Sequence, residues 1–114
     1  SLRCMGKRSW LAHNLVVGDA TSVDGMEIKM DRGTSQVTCF AKTNFDGTWQ
    51  MYGYDADIDD EVALFTDAGG TPTPRALTAG APDCATIVGN WTRIYPVFTS
   101  TAAGGTANAR ANEV

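Results

Sequence analysis

The feature that most constrains the fold is a pair of alternating segments within residues 34–54, TSQVTCFAKTNFDGTWQMYGY. Residues 37–42 alternate between two sets of side chains, which is the period of two that a pleated strand requires. Residues 48–52 resume the alternation with aromatic and β-favouring side chains. Between them, Asp46-Gly47 can adopt the positive φ angles of a tight turn. The segment therefore predicts two strands of one β-hairpin, and it places the chain in a β fold class.

Further alternating or apolar segments with turn residues between them predict strands at 10–17, 26–31, 62–65, 85–88, 91–100 and 106–114. Because Pro96 lacks an N–H to donate, the strand at 91–100 is expected at a sheet edge or at a bulge. Residues 67–82 are rich in Gly, Pro and Thr, which is typical of a contact loop. Seven or eight short strands without a helical period predict an all-β fold, an antiparallel β-sandwich of jelly-roll type.

At 114 residues the chain is expected to form a single domain. We divide it into an extended N-terminal arm, residues 1–9, and one β-sandwich domain, residues 10–114. The net charge of −4 argues against a nucleic-acid partner, which requires a basic face. The sequence has no run of about 18 apolar residues, so no membrane-spanning helix is expected.

Charge is unevenly distributed along the chain. Arg3, Lys7 and Arg8 place three of the nine basic residues within the first eight positions. A basic arm can bind an acidic partner surface, so these residues and Trp10 are candidates for a partner contact. The alternative is a solvated terminus without a partner.

An acidic run follows the predicted hairpin at residues 55–61. Asp55, Asp57 and Asp59 occupy the first, third and fifth positions of a calcium-binding loop pattern. The sixth position should be Gly and is Asp60, and the twelfth should be Glu and is Thr66. These departures argue against an EF-hand. An irregular calcium site and a solvated acidic loop both remain open.

The cysteines and the histidine do not form a recognisable reactive group. Cys4, Cys39 and Cys84 are widely spaced without a CxxC motif, so a zinc or dithiol site is not expected. The odd number favours reduced thiols, and whether Cys4 pairs with Cys84 stays open. His13 is the only histidine, and no catalytic triad can be assigned around it. We therefore predict no catalytic residue, no metal ligand, no cofactor and no enzymatic activity.

Aromatic residues at strand positions allow two interpretations. Aromatic faces can stack on sugar rings, but such residues are more often core or interface anchors. The residues concerned are Trp49, Tyr52, Tyr54, Trp91 and Tyr95.

Three segments carry a family resemblance: SQVTCFAKTNFDGTWQMYGY, residues 89–97 and residues 102–107. Together they resemble small β-sandwich virion structural proteins of tailed bacteriophages, over about residues 34–114. The shared pattern begins with an alternating strand and a turn of DG-x-W type. It continues with an Arg-containing strand, a Gly-rich turn and a last alternating strand. The resemblance implies a capsid decoration (cement) protein or a tail or fibre module, and it carries over no catalytic residue.

These observations lead to a functional hypothesis of a capsid decoration protein, located in the virion. It would bind capsid or tail structural proteins and associate with itself in a symmetric assembly, without nucleic acid or membrane. Candidate contacts are the arm, the loop at 67–82 and an exposed edge at 91–100 that includes Trp91 and Arg93. The alternative is a carbohydrate-binding or receptor-recognition module of a tail or fibre.

Overall fold

The computed structural model describes residues 9–17, 22–24, 28–29, 36–89, 91–101 and 104–114. These residues contain ten strands and no helix. The strands are β1 (Ser9–Val17), β2 (Ser22–Asp24), β3 (Ile28–Lys29), β4 (Gln36–Thr43), β5 (Gly47–Asp55), β6 (Asp60–Ala63), β7 (Arg75–Leu77), β8 (Asp83–Val88), β9 (Arg93–Ser100) and β10 (Gly105–Glu113). The predicted arm lies outside the described residues except for Ser9, which begins β1.

The strands form two antiparallel sheets. A four-stranded sheet has the order β1-β10-β4-β8, and a six-stranded sheet has the order β2-β9-β5-β6, in which β3 also pairs with β9 and β7 with β5. The predicted antiparallel β-sandwich is confirmed. The strand count exceeds seven or eight because the short strands β2 and β7 were not predicted, whereas β3 lies within the strand predicted at 26–31. Of these, β7 lies within the predicted loop at 67–82.

Alternating side chains from both sheets fill the interior. The inner residues of β4 and β10 are small or medium-sized, whereas β5 and β9 contribute large aromatic, Met and Ile side chains. Trp49 and Phe98 lie in parallel planes with ring centroids 6.3 Å apart, and both are about 1% exposed or less. Since burying apolar surface stabilises a fold by about 25 cal/mol per Å², this layer is the main source of stability.

The predicted hairpin between β4 and β5 is wrong, because the two strands belong to different sheets. Residues 44–46 instead carry the chain from one sheet to the other. Phe45 is buried between the sheets. The Asn44 N–H donates a hydrogen bond to the Thr106 carbonyl at 3.2 Å, and Asn44 Oδ1 accepts one from the Thr106 N–H at 2.8 Å. Gly47 does not adopt a positive φ. Its lack of a side chain matters for packing, because a Cβ would lie 2.1 Å from the Thr99 carbonyl oxygen.

Pro96 was expected either in an edge strand or at a bulge, and the first of these two expectations is wrong. β9 is paired on both sides, with β5 along one side and with β2 and β3 along the other. In β9, Val97–Thr99 pair with β2, and Arg93 and Ile94 pair with β3. Pro96 therefore lies between the two short partner strands. The sheet accommodates a residue without an N–H at this interruption, and residues 93–100 are not an exposed edge.

The segment between β6 and β7 is held by side-chain hydrogen bonds. Gln50 is buried, donates from Nε2 to the Phe65 carbonyl at 3.0 Å and accepts from the Phe65 N–H at 2.8 Å. Asp67 Oδ1 accepts from the N–H groups of Gly69 and Thr71 at 2.8 and 3.0 Å. The predicted strand at 62–65 is offset, because β6 begins at Asp60 and ends at Ala63.

The strand registers define two ends of the sandwich. One end holds the first residues of β1, β6 and β9 and the last residues of β5, β8 and β10. We call this the N-proximal end, since it carries Ser9 and the acidic residues 55–61. The other end carries the crossover at residues 44–46 and the turn at 78–81, where the Ala79 N–H donates to Asp46 Oδ1 at 2.9 Å.

Candidate interaction surfaces

The outer face of the six-stranded sheet carries three partly exposed tyrosines, which we call the tyrosine face: Tyr52, Tyr54 and Tyr95. Tyr52 and Tyr95 are directly opposite each other on β5 and β9. Their rings stack at 22° with centroids 5.6 Å apart, within the range of favourable aromatic pairs. The Tyr95 hydroxyl donates a hydrogen bond to Glu61 Oε2. The face thus presents aromatic surface beside a carboxylate.

Tyr54 extends this face and is surrounded by charge. The Arg93 guanidinium carbon lies 4.0 Å from the Tyr54 ring centroid, which is cation–π geometry. The Tyr54 hydroxyl donates to Asp59 Oδ1 at 2.6 Å, and this hydrogen bond raises the pKa of Tyr54 above its ordinary value. Arg93, a predicted contact residue, therefore lies on the tyrosine face next to an acidic loop.

The acidic loop is shaped by its own local hydrogen bonds. Asp55 Oδ1 accepts from the Asp57 N–H at 2.9 Å, and Asp59 has a positive φ of 51°. The Ala56 N–H donates to Thr92 Oγ1 at 2.9 Å, which ties the loop to the start of β9. Within the described part of the chain no three carboxylate, Cys or His groups converge as metal ligands do. The calcium hypothesis for Asp55, Asp57 and Asp59 therefore gains no support.

The two tryptophans with described side chains point inward rather than onto the tyrosine face. Trp49 is in the core at 1% exposure. Trp91 packs against Gly53, where an added Cβ would come within 2.5 Å of the Trp91 ring. Its indole nitrogen is buried and has no hydrogen-bond partner among the described residues. Of the five aromatics considered from the sequence, only the tyrosines form an external surface.

The N-proximal half of the sandwich carries all five of the exposed large apolar side chains among the described residues. Ile58, Val88 and Val114 lie at this end and are 65%, 69% and 56% exposed, and Leu11 and Val62 lie within a few residues of it at 58% and 40%. Trp91 and Arg93 lie at the same end as Ser9, which is the last residue of the predicted arm. Arg3, Lys7 and Arg8 lie outside the described residues, as does the side chain of Trp10, whose backbone belongs to β1.

The outer face of the four-stranded sheet contains a shallow groove. It has a volume of about 200 Å³ and is lined by residues that include Leu11, Phe40, Pro82 and Asn108. The Arg110 guanidinium carbon lies 4.9 Å from the Phe40 ring centroid, so this face too has an aromatic–cation contact. The groove is open to solvent along the sheet surface.

One polar cluster missed in the sequence links the two sheets. Asp83 on β8 accepts from Arg75 on β7 through both carboxylate oxygens, at 2.8 and 2.9 Å, and from Trp49 Nε1 at 2.9 Å. The hydrogen bonds from Arg75 lower the pKa of Asp83 to about 2. No local sequence signal identifies this cluster, since its members come from three separated strands. Its hydrogen bonds hold Trp49 and Arg75, which belong to the six-stranded sheet, against β8 of the four-stranded sheet.

His13 lies within β1 where the register with β10 shifts between Ala12 and Leu15. Its side chain is outside the described residues. The described residues include no helix long and apolar enough to cross a membrane.

No family model matches this chain, and no curated protein matches it in sequence. Solved structures do share its fold. The exported protein XepA of PBSX aligns over 93% of this chain with a TM-score of 0.70 and 8% identity. The chain spans only 36% of the XepA chain. The SPBc2 prophage-derived protein YomS aligns over 99% of this chain and 100% of its own, with a TM-score of 0.58 and 9% identity.

A third solved structure, from a study of disulfide-linked pili that form Bacillus endospore appendages, aligns over 100% of this chain with a TM-score of 0.40 and 13% identity. Because that score is below 0.5, it supports no conclusion here. The first two structures are of phage-derived proteins, and each contains the β-sandwich fold of this chain. At 8–9% identity this similarity concerns the fold.

Proposed function

We propose that this chain is a virion structural protein of a tailed bacteriophage and that it decorates the capsid surface in many symmetric copies. The observation that carries the proposal is the fold, which covers nearly the whole chain in two phage-derived proteins. The resemblance of about residues 34–114 to small virion β-sandwiches points to the same class. The proposed location is the virion, and the proposed activity is binding rather than catalysis.

The distribution of exposed apolar side chains supports a specific orientation on the particle. Concentrated exposed apolar surface marks interaction sites, because its burial against a partner is favourable. Ile58, Val88 and Val114 lie at the N-proximal end, whereas no large apolar side chain is exposed at the described residues of the opposite end. We therefore propose that the N-proximal end, together with the basic arm that leads into it, contacts the capsid.

Copy number in purified virions tests the assignment. Virions of the phage whose genome encodes this chain would be analysed by quantitative mass spectrometry. A capsid decoration protein is expected at a copy number comparable with that of the major capsid protein. A copy number matching the tail-tip or fibre proteins would replace decoration by a tail role, and absence from virions would overturn the virion assignment altogether.

Binding of variants to capsids tests the proposed orientation. Ile58→Lys places a charge within the exposed N-proximal surface and is expected to reduce co-sedimentation with empty capsids at least tenfold. Thr78→Lys is the matched control, since Thr78 is exposed at the opposite end. Equal loss of binding by the two variants, or no loss by Ile58→Lys, would contradict the orientation.

A second candidate function is carbohydrate binding by a tail or fibre module, and the tyrosine face favours it. The stacked pair of Tyr52 and Tyr95 is partly exposed and lies beside Glu61, a carboxylate that can accept from sugar hydroxyls. Glycan-array binding that is lost in Tyr52→Ala and Tyr95→Ala, but kept in Ile58→Lys, would favour this function. Absence of array binding, with capsid co-sedimentation unaffected by the two Tyr variants, would exclude it.

A further inference from the structure

The edge strand β8 has six residues in an uninterrupted register, and it lacks the usual protection against pairing with another strand. It pairs continuously with β4 over Asp83–Val88 and, among the described residues, has no partner on its other side. Free strand edges are normally interrupted, charged or very short. The other edges follow this rule: β1 has a register shift, β6 begins with Asp60 and Glu61, and β2, β3 and β7 have two or three residues each.

The hydrogen bonds show which backbone groups face the free edge. The Cys84 N–H donates to Asp83 Oδ1 at 2.9 Å, so it points away from β4. In an antiparallel strand, alternate residues direct both backbone groups to the same side. Thr86 and Val88 therefore also face the free edge. Their N–H groups, with the carbonyl groups of Cys84 and Thr86, are available to an added strand.

The side chains of these three residues are exposed and uncharged. Cys84, Thr86 and Val88 all point to the outer face, and Val88 is 69% exposed. The only charged residue of β8 is Asp83, whose carboxylate is held by Arg75. A second β8 can lie alongside without placing like charges opposite each other, which would be destabilising.

We propose that β8 pairs with β8 of a second copy of this chain, antiparallel and about a two-fold axis at Thr86. In this register the Thr86 N–H donates to the carbonyl of Thr86 of the partner subunit, and the Val88 N–H donates to that of Cys84 of the partner subunit. The symmetry repeats both bonds, which gives four in total. The two four-stranded sheets become one continuous sheet of eight strands.

The same register places compatible side chains together. Thr86 faces its own copy, and threonine pairs stabilise antiparallel strands. Val88 lies beside Cys84 of the partner subunit, so its exposed side chain becomes partly covered. The Asp83 carboxylate occupies the Cys84 N–H and thereby ends the available edge. Pairing across one strand is a small contact, so we expect a dimer that forms at high local concentration, as on a symmetric particle.

Cysteine crosslinking tests the register of the β8 pair in the absence of any capsid. A negative crosslinking result would therefore overturn the β8 pairing without affecting the proposed capsid binding. In a Cys4→Ser background, Val88→Cys would lie opposite Cys84 of the partner subunit. Directly opposite hydrogen-bonded residues have Cα atoms about 5.5 Å apart, and their Cβ atoms are farther apart than in a relaxed disulfide, so a short thiol-reactive crosslinker is used. The crosslinker is expected to give a covalent dimer at high yield.

Two controls sharpen the crosslinking result. Val62→Cys, an exposed valine of the β6 edge, should crosslink poorly in the same background. Adding Cys84→Ser to the Val88→Cys variant should also abolish most of the dimer. Equal crosslinking of the Val88→Cys and Val62→Cys variants would overturn the proposed pairing.

Sedimentation velocity tests the contact without crosslinking. Thr86→Lys places two lysines opposite each other across the axis and should raise the dimer dissociation constant at least tenfold. Gln36→Lys, exposed on the neighbouring strand β4, should leave it unchanged. A wild-type chain that remains monomeric at all concentrations, or a Thr86→Lys variant that dimerises like wild type, would overturn the proposal.

Discussion

Trp49 and Asp83 are 34 residues apart and belong to opposite sheets, and the Trp49 indole N–H donates to Asp83 Oδ2 at 2.9 Å. Asp83 therefore accepts hydrogen bonds from a core side chain, Trp49, and from a surface side chain, Arg75. This arrangement satisfies the polar atom of a tryptophan that is otherwise surrounded by apolar residues. Removing the acceptor would leave a buried donor without a partner.

Replacing Asp83 by Ala is expected to destabilise the fold by about 2 kcal/mol, because the Trp49 N–H and the Arg75 guanidinium both lose their acceptor. Urea denaturation at pH 7 followed by tryptophan fluorescence measures the change. Asp57→Ala is the control, since Asp57 is exposed in the acidic loop and should change stability by less than about 0.5 kcal/mol. Equal stability of the two variants would refute the role of Asp83.

The same carboxylate gives the stability an acid dependence. Hydrogen bonds from Arg75 lower the pKa of Asp83 from 3.8 to about 2. A lowered folded-state pKa contributes stability that is fully present above 3.8 and is lost as the pH falls through about 2. The melting temperatures of wild type and Asp83→Asn should therefore converge over this range. A constant difference from neutral to acidic pH would count against this assignment.

Gln50 should control the order of the segment that follows β6. Gln50→Met keeps the approximate volume but leaves the buried Phe65 N–H without its acceptor, at an expected cost of about 2 kcal/mol, while the Phe65 carbonyl keeps the hydrogen bond from the Thr73 N–H. Amide hydrogen exchange should become faster in residues 64–74. Gln36→Met, at an exposed glutamine of β4, provides the comparison and should leave exchange unchanged. Unchanged exchange in both variants would show that Gln50 does not hold this segment.

We expect that the packing of the Trp91 ring requires a glycine at position 53. Gly53→Ala introduces a Cβ within 2.5 Å of that ring, and such overpacking costs about 1–3 kcal/mol. The tryptophan emission spectrum should shift as Trp91 moves. At Gly69 an added Cβ meets its nearest atom at 3.5 Å, so Gly69→Ala should be close to neutral. A wild-type spectrum and stability for Gly53→Ala would contradict this packing.

Cys39 and Cys84 should differ sharply in reactivity. Cys39 is 3% exposed and burial raises its pKa to about 12, whereas Cys84 is exposed on β8. Iodoacetamide should therefore label Cys84 in the native protein and Cys39 only after unfolding, as read by peptide mass spectrometry. In Cys84→Ser, labelling of Cys39 should still require denaturant. Similar native labelling rates for Cys39 and Cys84 would argue against burial.

The strands themselves were predictable because alternation is a local property of the sequence. Residues 37–42 and 48–52 fall within β4 and β5, and Pro96 did not prevent residues 93–100 from forming a strand. The pairing of these strands was not predictable. Asp46-Gly47 permits a hairpin, but burial of Phe45 and the bonds between Asn44 and Thr106 favour a crossover between sheets.

The candidate surfaces could be predicted only in part. Tyr52 and Tyr54 are two residues apart, so their common face follows from strand geometry. The stacking of Tyr95 on Tyr52 and of Arg93 on Tyr54 depends on the register of β9, which is not encoded locally. The Arg75–Asp83 ion pair depends on the short strand β7, which pattern analysis assigned to a loop.

The position of β10 between β1 and β4 has a consequence for synthesis. β1 and β10 are direct neighbours in the sheet, but the segments that form β2 to β9 separate them along the chain. The four-stranded sheet therefore cannot be completed until residues 105–113 have left the ribosome. Non-local pairing of this kind slows folding, because β10 must enter between two strands that are synthesised long before it.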